Sequence, residues 1–249
     1  MAAMPPEAMP TILTRTHTRR LREVYRSAGW PFQDLIEIEL LSCGLLERRT
    51  SPAGHETVRV TDAGIQALAE NFKKNQKART RHEDLVGLVA REMARSGRVA
   101  WRGLMLRARL PAASDGEAPS WCVACPDVFS IRNTSMAAYV EPIVHEIKVS
   151  RADLLSDLRN ADKRAAYLEM GGQCWYVLGQ DARGRPIGQA DDVPATCGVM
   201  AVAEGRLSVL RNAPRKEVVA LPFHIWMALA KATPCAAPDE DAQQLLDAA

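Results

Sequence analysis

Two carboxylates and a lysine stand in apolar surroundings that offer them little water. Asp127 follows Cys125-Pro126, and nineteen positions later Glu146, with Lys148 two further on, interrupts the strand-like run Ile143 to Val149. Alternation along an extended chain puts Val144, Glu146 and Lys148 on one face, and Ile143, His145 and Ile147 on the other. An ionised group buried without a partner costs several kcal/mol or more, so such groups pair with one another or hold a metal. Two hard oxygen donors beside a lysine suit metal-assisted hydrolysis of a phosphodiester. The carboxylates grip a divalent cation, and the ammonium meets the charge that develops on the phosphate. His145, on the opposite face, reads as a packed or hydrogen-bonded core histidine.

Residues 82–96 have the apolar spacing of an amphipathic helix, with Leu85, Leu88, Val89 and Met93 inward. Val99 to Leu110 reads as one long Arg-rich strand, and Pro111 to Pro119 as a polar, mobile loop. Trp121 to Ile131 reads as the strand that bears Asp127. After Lys148, Ser150-Arg151-Ala152-Asp153 has the form of a capping box, with Asp in place of the usual Glu. It opens a helix that runs through Leu168 to Gly171-Gly172. Gln173 to Leu178 is a further strand, a hairpin turns at Glu204-Gly205, and a helix lies near Phe223 to Lys231. Strands and helices mixed in this way predict an α/β (α+β) fold, a mixed sheet flanked by helices.

The first third is organised differently. Thr14 to Gly29 is a basic amphipathic helix, with Leu21, Val24 and Tyr25 inward and Arg15, Arg19, Arg20, Arg22 and Arg26 outward. A second helix is expected to start at Pro31 and end at Gly44. Two short strands around Ser51-Pro52-Ala53-Gly54 make a hairpin, and Thr61-Asp62-Ala63-Gly64 opens another helix. Two helices, a hairpin and a capping helix resemble a winged helix over residues 11–76. The second helix, where such a fold reads the major groove, carries Asp34, Glu37 and Glu39, which repel phosphates. Arg19, Arg22 and Arg26 are therefore the better candidates for DNA backbone contact, although an outward arginine row also serves as a plain solvated face.

Over residues 82–180 the order helix, strand, Pro-Asp strand, Glu-x-Lys strand, helix, strand resembles the PD-(D/E)xK nuclease superfamily. Within it, "HEIKVSRADLLSD" and "YLEMGGQCWYVLG" look like the MmcB-like DNA-repair-associated proteins. The resemblance implies a restriction-endonuclease-like domain over 82–232. Asp127 and Glu146 would be its metal-binding carboxylates, Lys148 its lysine, and the Ile147 carbonyl a further oxygen ligand. An extra acid on the first helix would be Glu83, or failing that Glu92. The implied cofactor is Mg²⁺ or Mn²⁺, and the implied activity is an endonuclease or nickase of DNA repair or defence. Ser150 and Arg151 would meet a phosphate at a helix N-terminus, where Ser150 serves equally as an N-cap. Asp157, Lys163 and Gln173 are weaker candidates for the same site, Gln173 as a DNA contact. Tyr167, Trp175 and Tyr176 read as core. Two departures stand out: that group typically lacks an N-terminal winged helix, and the loop 111–120 is longer than the resemblance suggests. The alternative is a non-catalytic DNA-binding or regulatory protein that uses the winged helix and keeps a nuclease-like body.

The composition narrows the setting. A net charge of +2 excludes a histone-like binder. The excess is local, since residues 1–82 hold 13 Lys/Arg against 9 Asp/Glu. No stretch approaches the ~20 apolar residues of a membrane span, and the first ten residues lack the form of a signal peptide. Six scattered cysteines fit reduced thiols, and the expected location is cytoplasmic. Cys122-x-x-Cys125 invites a zinc reading, but positions three apart on one strand face opposite sides. A homodimer is compatible with all of this. Residues 233–249 read as an acidic, Ala-rich disordered tail.

Overall fold

The computed structural model describes residues 13–110, 120–216 and 220–236. Most of the loop 111–120 and of the tail 233–249 lies outside the described residues. The chain is of the mixed α and β class and divides into two compact units, Met1–Lys77 and Ala78–Ala249.

In the first unit α1 (Arg15–Arg26) starts at Thr14, whose side chain accepts the His17 N–H while the His17 ring returns a bond to the Thr14 backbone. Helix α2 (Leu35–Ser42) starts later than Pro31 would have it. Asp34 is the N-cap and accepts the Glu37 N–H, while the Arg20 guanidinium grips the same carboxylate at 2.9 and 2.6 Å. Strands β1 (Leu46–Thr50) and β2 (Glu56–Val60) pair antiparallel. Leu21, Val24, Leu40, Leu46 and Val58 form the core between these elements. Tyr25, expected inside, is exposed, because the buried stripe of α1 runs through His17, Thr18, Leu21 and Val24. The Thr-Asp-Ala-Gly turn has a steric cause. Thr61 donates to the Gly44 carbonyl and accepts the Gly64 N–H, and a Cβ at Gly64 would stand 2.3 Å from the Leu45 carbonyl oxygen.

Helix α3 (Asp62–Arg95) corrects the expectation of two separate helices. It is continuous over 34 residues, and the division between the units falls inside it. No proline or cap interrupts it, so the basic segment 73–81 simply extends the helix.

The second unit holds a mixed six-stranded sheet in the order β10-β9-β8-β7-β6-β3. The expected long strand 99–110 is two strands, β3 (Arg98–Arg102) and β4 (Leu106–Arg109), and 121–131 is likewise β5 (Trp121–Ala124) and β6 (Val128–Arg132). Strand β3 pairs with β6 and β4 with β5, both antiparallel, so the four form one hairpin bent at a corner. Gly103, at φ +61, turns one arm, and its N–H donates to the Asp127 carbonyl on the other arm at 3.3 Å. Asp127 thus sits at the bend and not within a strand.

Strand β7 (Ile143–Lys148) runs antiparallel to β6 and parallel to β8 (Gln173–Leu178). The crossover is two helices, where one was expected: α4 (Arg151–Leu158), capped by Ser150, and α5 (Ala161–Met170), capped by Asn160 accepting the Lys163 N–H. The expected hairpin is present as β9 (Gly198–Ala203) and β10 (Arg206–Arg211), and α6 (Phe223–Lys231) follows. Val144, Tyr167, Tyr176 and Leu154 pack on one side of the sheet. Ile147, Val177 and Trp175 meet Leu85, Val86 and Val89 of α3 on the other.

Candidate active site

The bend at Asp127 opens the sheet. The β6–β7 ladder runs only from Ser130 opposite Ile143 to Val128 opposite His145. Beyond it the Asp127 carboxylate takes the place of a strand carbonyl and accepts the Ile147 N–H at 2.7 Å. Glu146 and Lys148 flank that peptide on the face predicted by alternation, and both are buried. The structure therefore brings Asp127, Glu146, Ile147 and Lys148 together.

Glu146 is held on all sides. Its Oε1 accepts Lys148 Nζ at 2.7 Å and Lys163 Nζ at 2.6 Å, and its Oε2 lies 2.9 Å from the Tyr167 hydroxyl. The same hydroxyl is 3.0 Å from the Cys125 carbonyl, which ties α5 to the corner beside Asp127. Asp157 on α4 bridges onward: Oδ1 meets Lys163 at 2.6 Å and Lys148 at 3.3 Å, and Oδ2 accepts the Tyr176 hydroxyl at 2.8 Å. Asp153 stands 3.6 Å from Lys148.

These distances set the protonation states. Burial, reinforced by the charge of Asp127, raises Glu146 above the usual carboxylate range against the pull of Lys148 and Lys163. Burial alone would lower Lys148, but Glu146, Asp157 and Asp153 outweigh it and hold its proton more tightly than in water. Lys163 is raised in the same way, its burial overcome by Glu146 and Asp157. Burial next to Glu146 and Asp157 respectively keeps the Tyr167 and Tyr176 hydroxyls protonated.

Tyr167 and Tyr176 are the expected core residues. They are buried, yet their hydroxyls bind the two central carboxylates, and a polar tip on a buried ring was the available signal. His82 was missed altogether. Its Nε2 lies 3.4 Å from Asp127 Oδ1, and this contact raises its pKa against burial. It stands three and four residues before Leu85 and Val86, at the N-terminal end of the stripe that α3 presents to the sheet.

Other expected members lie elsewhere. Glu83 is mostly exposed, 3.8 Å from His82 Nδ1, and does not join the two carboxylates. Helical rotation of 100° past His82 turns it away from the sheet. Glu92 is bonded to Arg95. Ser150 is the N-cap of α4, accepting the Asp153 N–H at 3.2 Å. Arg151 is committed to Asp192, with one bond at 2.7 Å, and holds that carboxyl down to about 2. Gln173 pairs with Ile143, so parallel register sets it three to five residues from Glu146 and Lys148, roughly 10–16 Å along the strand. There it accepts the Trp175 indole N–H. In the first unit Arg19, Arg22 and Arg26 are exposed, and Arg22 reaches Asn71 at 2.7 Å. The acids of α2 are tied down: Asp34 to Arg20, Glu39 to His17 at 2.6 Å, and the fully buried Glu37 to Arg48 and the Phe32 N–H. Cys122 and Cys125 both carry free thiols.

Could these residues hold a divalent ion? Among the described residues no three His, Cys, Asp or Glu side chains gather as a ready ligand set. The two carboxylates and the Ile147 carbonyl are nevertheless all hard oxygens, on the side where the ladder has ended. That donor type fits Mg²⁺ or Mn²⁺, ions that keep several waters and need one or two carboxylates. Glu146 would have to exchange an ammonium contact for the ion.

No protein-family model and no curated protein matches the chain. A solved structure of a protein of unknown function from Silicibacter pomeroyi is 21% identical, covering 64% of this chain and 84% of its own at a TM-score of 0.37.

Proposed function

We propose that the Ala78–Ala249 unit hydrolyses DNA phosphodiester bonds with a divalent cation, as an endonuclease or nickase of repair or defence acting in the cytoplasm. The supporting observation is the meeting of Asp127, Glu146 and Lys148 where the bent hairpin parts from β7. Asp127, Glu146 and the Ile147 carbonyl would hold Mg²⁺ or Mn²⁺. When bound, such an ion polarises the scissile phosphate and lowers the pKa of a coordinated water. Lys148, kept protonated by three acids, donates to the charge that grows on the phosphate oxygens. Tyr167 and Lys163 orient Glu146, and His82 orients Asp127. Each site cuts one strand, so a monomer nicks and a homodimer is expected for a double-strand break.

The test is conversion of supercoiled plasmid to the nicked form by the full chain in Mg²⁺ or Mn²⁺. Asp127→Ala and Lys148→Ala should both abolish it, and intact plasmid after incubation with folded wild-type protein would sink the proposal. One observation favours a second reading. Both oxygens of Glu146 are already engaged by protein donors, as in a closed structural network, which suits a non-catalytic DNA-binding or regulatory protein. That reading expects salt-sensitive DNA binding that neither substitution changes.

A further inference from the structure

The β4–β5 ribbon that leads into the bend has two unlike faces. Leu106, Ala108 and Ala124 point inward and join the core that contains Tyr167. Register sets Arg107 beside Val123 and Arg109 beside Trp121 on the outer face, where all four are exposed. No acidic residue lies in either strand, and among the described residues neither arginine is bonded to a carboxylate. By contrast, Arg151, Arg185 and Arg20 are each matched to an aspartate. Trp121 is 51% exposed, yet its ring is held: His224 meets it edge-on at 5.1 Å, and the Arg107 guanidinium stands 5.3 Å from its centroid.

An exposed indole fixed in orientation costs little entropy to use, and its face accepts any base. Arginines alongside it, with no carboxylate among the described residues bonded to them, complement a phosphate backbone. We infer that the outer face of the β4–β5 ribbon binds a single-stranded DNA segment, with a base stacked on Trp121 and phosphates at Arg107 and Arg109. A paired duplex hides its base faces, so the occupant is a single strand, a frayed end or a gap. Asp127 lies six positions after Trp121, and the inference rests on the nuclease reading above for its role: the ribbon would choose the substrate that Asp127 and Lys148 cut.

The experiment uses the full chain in EDTA, with no cleavage, and an oligothymidine carrying one 5-iodouracil. Photocrosslinking followed by peptide mapping should place the adduct on Trp121. Trp121→Ala should weaken binding about tenfold, while Trp121→Phe should retain most of it. Arg107→Ala with Arg109→Ala should lower the salt slope by about 1.4, at ~0.7 per phosphate contact. Adducts confined to other residues, or a folded Trp121→Ala protein that binds within twofold of wild type, would overturn the inference. So would a Trp121→Ala protein that changes oligomeric state in light scattering and leaves oligonucleotide binding intact. Binding at the ribbon without nicking in Mn²⁺ would defeat the nuclease reading alone. Nicking without any effect at Trp121 would defeat the ribbon alone.

Discussion

Lys148 is the cation that three acids of the site share. It is almost fully buried, and it answers Glu146, Asp157 and Asp153 together. Lys148→Met should therefore remove plasmid nicking and also cost stability, of the order of 3–5 kcal/mol, because two buried carboxylates lose their shared cation. Denaturant melts would read the second effect, and an unchanged midpoint would mean that Lys163 alone suffices. The other buried group with a clear consequence is His145. Both its ring nitrogens lack a partner among the described residues, and burial beside Arg98 pushes it down to about 3. As pH falls below about 6.5 the unfolded chain takes up a proton that the folded chain refuses, so stability should fall by up to ~1.4 kcal/mol per pH unit until about pH 3. His145→Leu should remove that part of the acid slope and raise the melting temperature at pH 5. Equal slopes for both proteins would contradict the assignment. The Asp127, Glu146 and Lys148 constellation was legible because alternation in one strand fixes two of the three. Glu83 misled because an acid in a sequence carries no sign of which way the helix turns it, and His82 one position earlier has the better phase.

At the scale of elements, corners and caps decided the geometry. Gly103 and the Cys125-Pro126-Asp127 break are what swing the hairpin away from β7, so that Asp127 reaches the Ile147 N–H. A Cβ at Gly103 would meet nothing within 4 Å, so Gly103→Ala should cost about 1 kcal/mol from its positive φ alone. A much larger loss in a chemical melt would contradict an open corner at Gly103. Asn160→Ala should cost a similar ~1 kcal/mol as a lost N-cap, and it should lower nicking as well, because α5 carries Lys163 and Tyr167 to Glu146. The strand β7, the Ser150 cap and the hairpin at Glu204-Gly205 could be read from period and turn residues. The two split strands and the split crossover helix could not. A single glycine or asparagine inside a continuous pattern is compatible with both a straight element and a bent one, and tertiary pairing chooses between them.

Across the whole chain the weak net charge conceals a division of labour. The acids of α2 spend their charge on Arg20, Arg48 and His17, which leaves Arg19, Arg22 and Arg26 as the exposed basic row of α1. Replacing these three by Ala should lower the salt slope of duplex binding by up to about 2.7 and leave the saturated nicking rate unchanged. A fall in that rate would tie the row to the chemistry itself. No helix among the described residues is long and apolar enough to cross a membrane. The most direct measurement is the single-turnover nicking rate of supercoiled plasmid in Mn²⁺, comparing wild type with Asp127→Asn, a change that keeps the side chain's shape and removes its charge. The account predicts cleavage by wild type and a loss of at least a hundredfold in the variant, with the folded state intact by circular dichroism. Equal rates in the two proteins, or no cleavage by either, would contradict it.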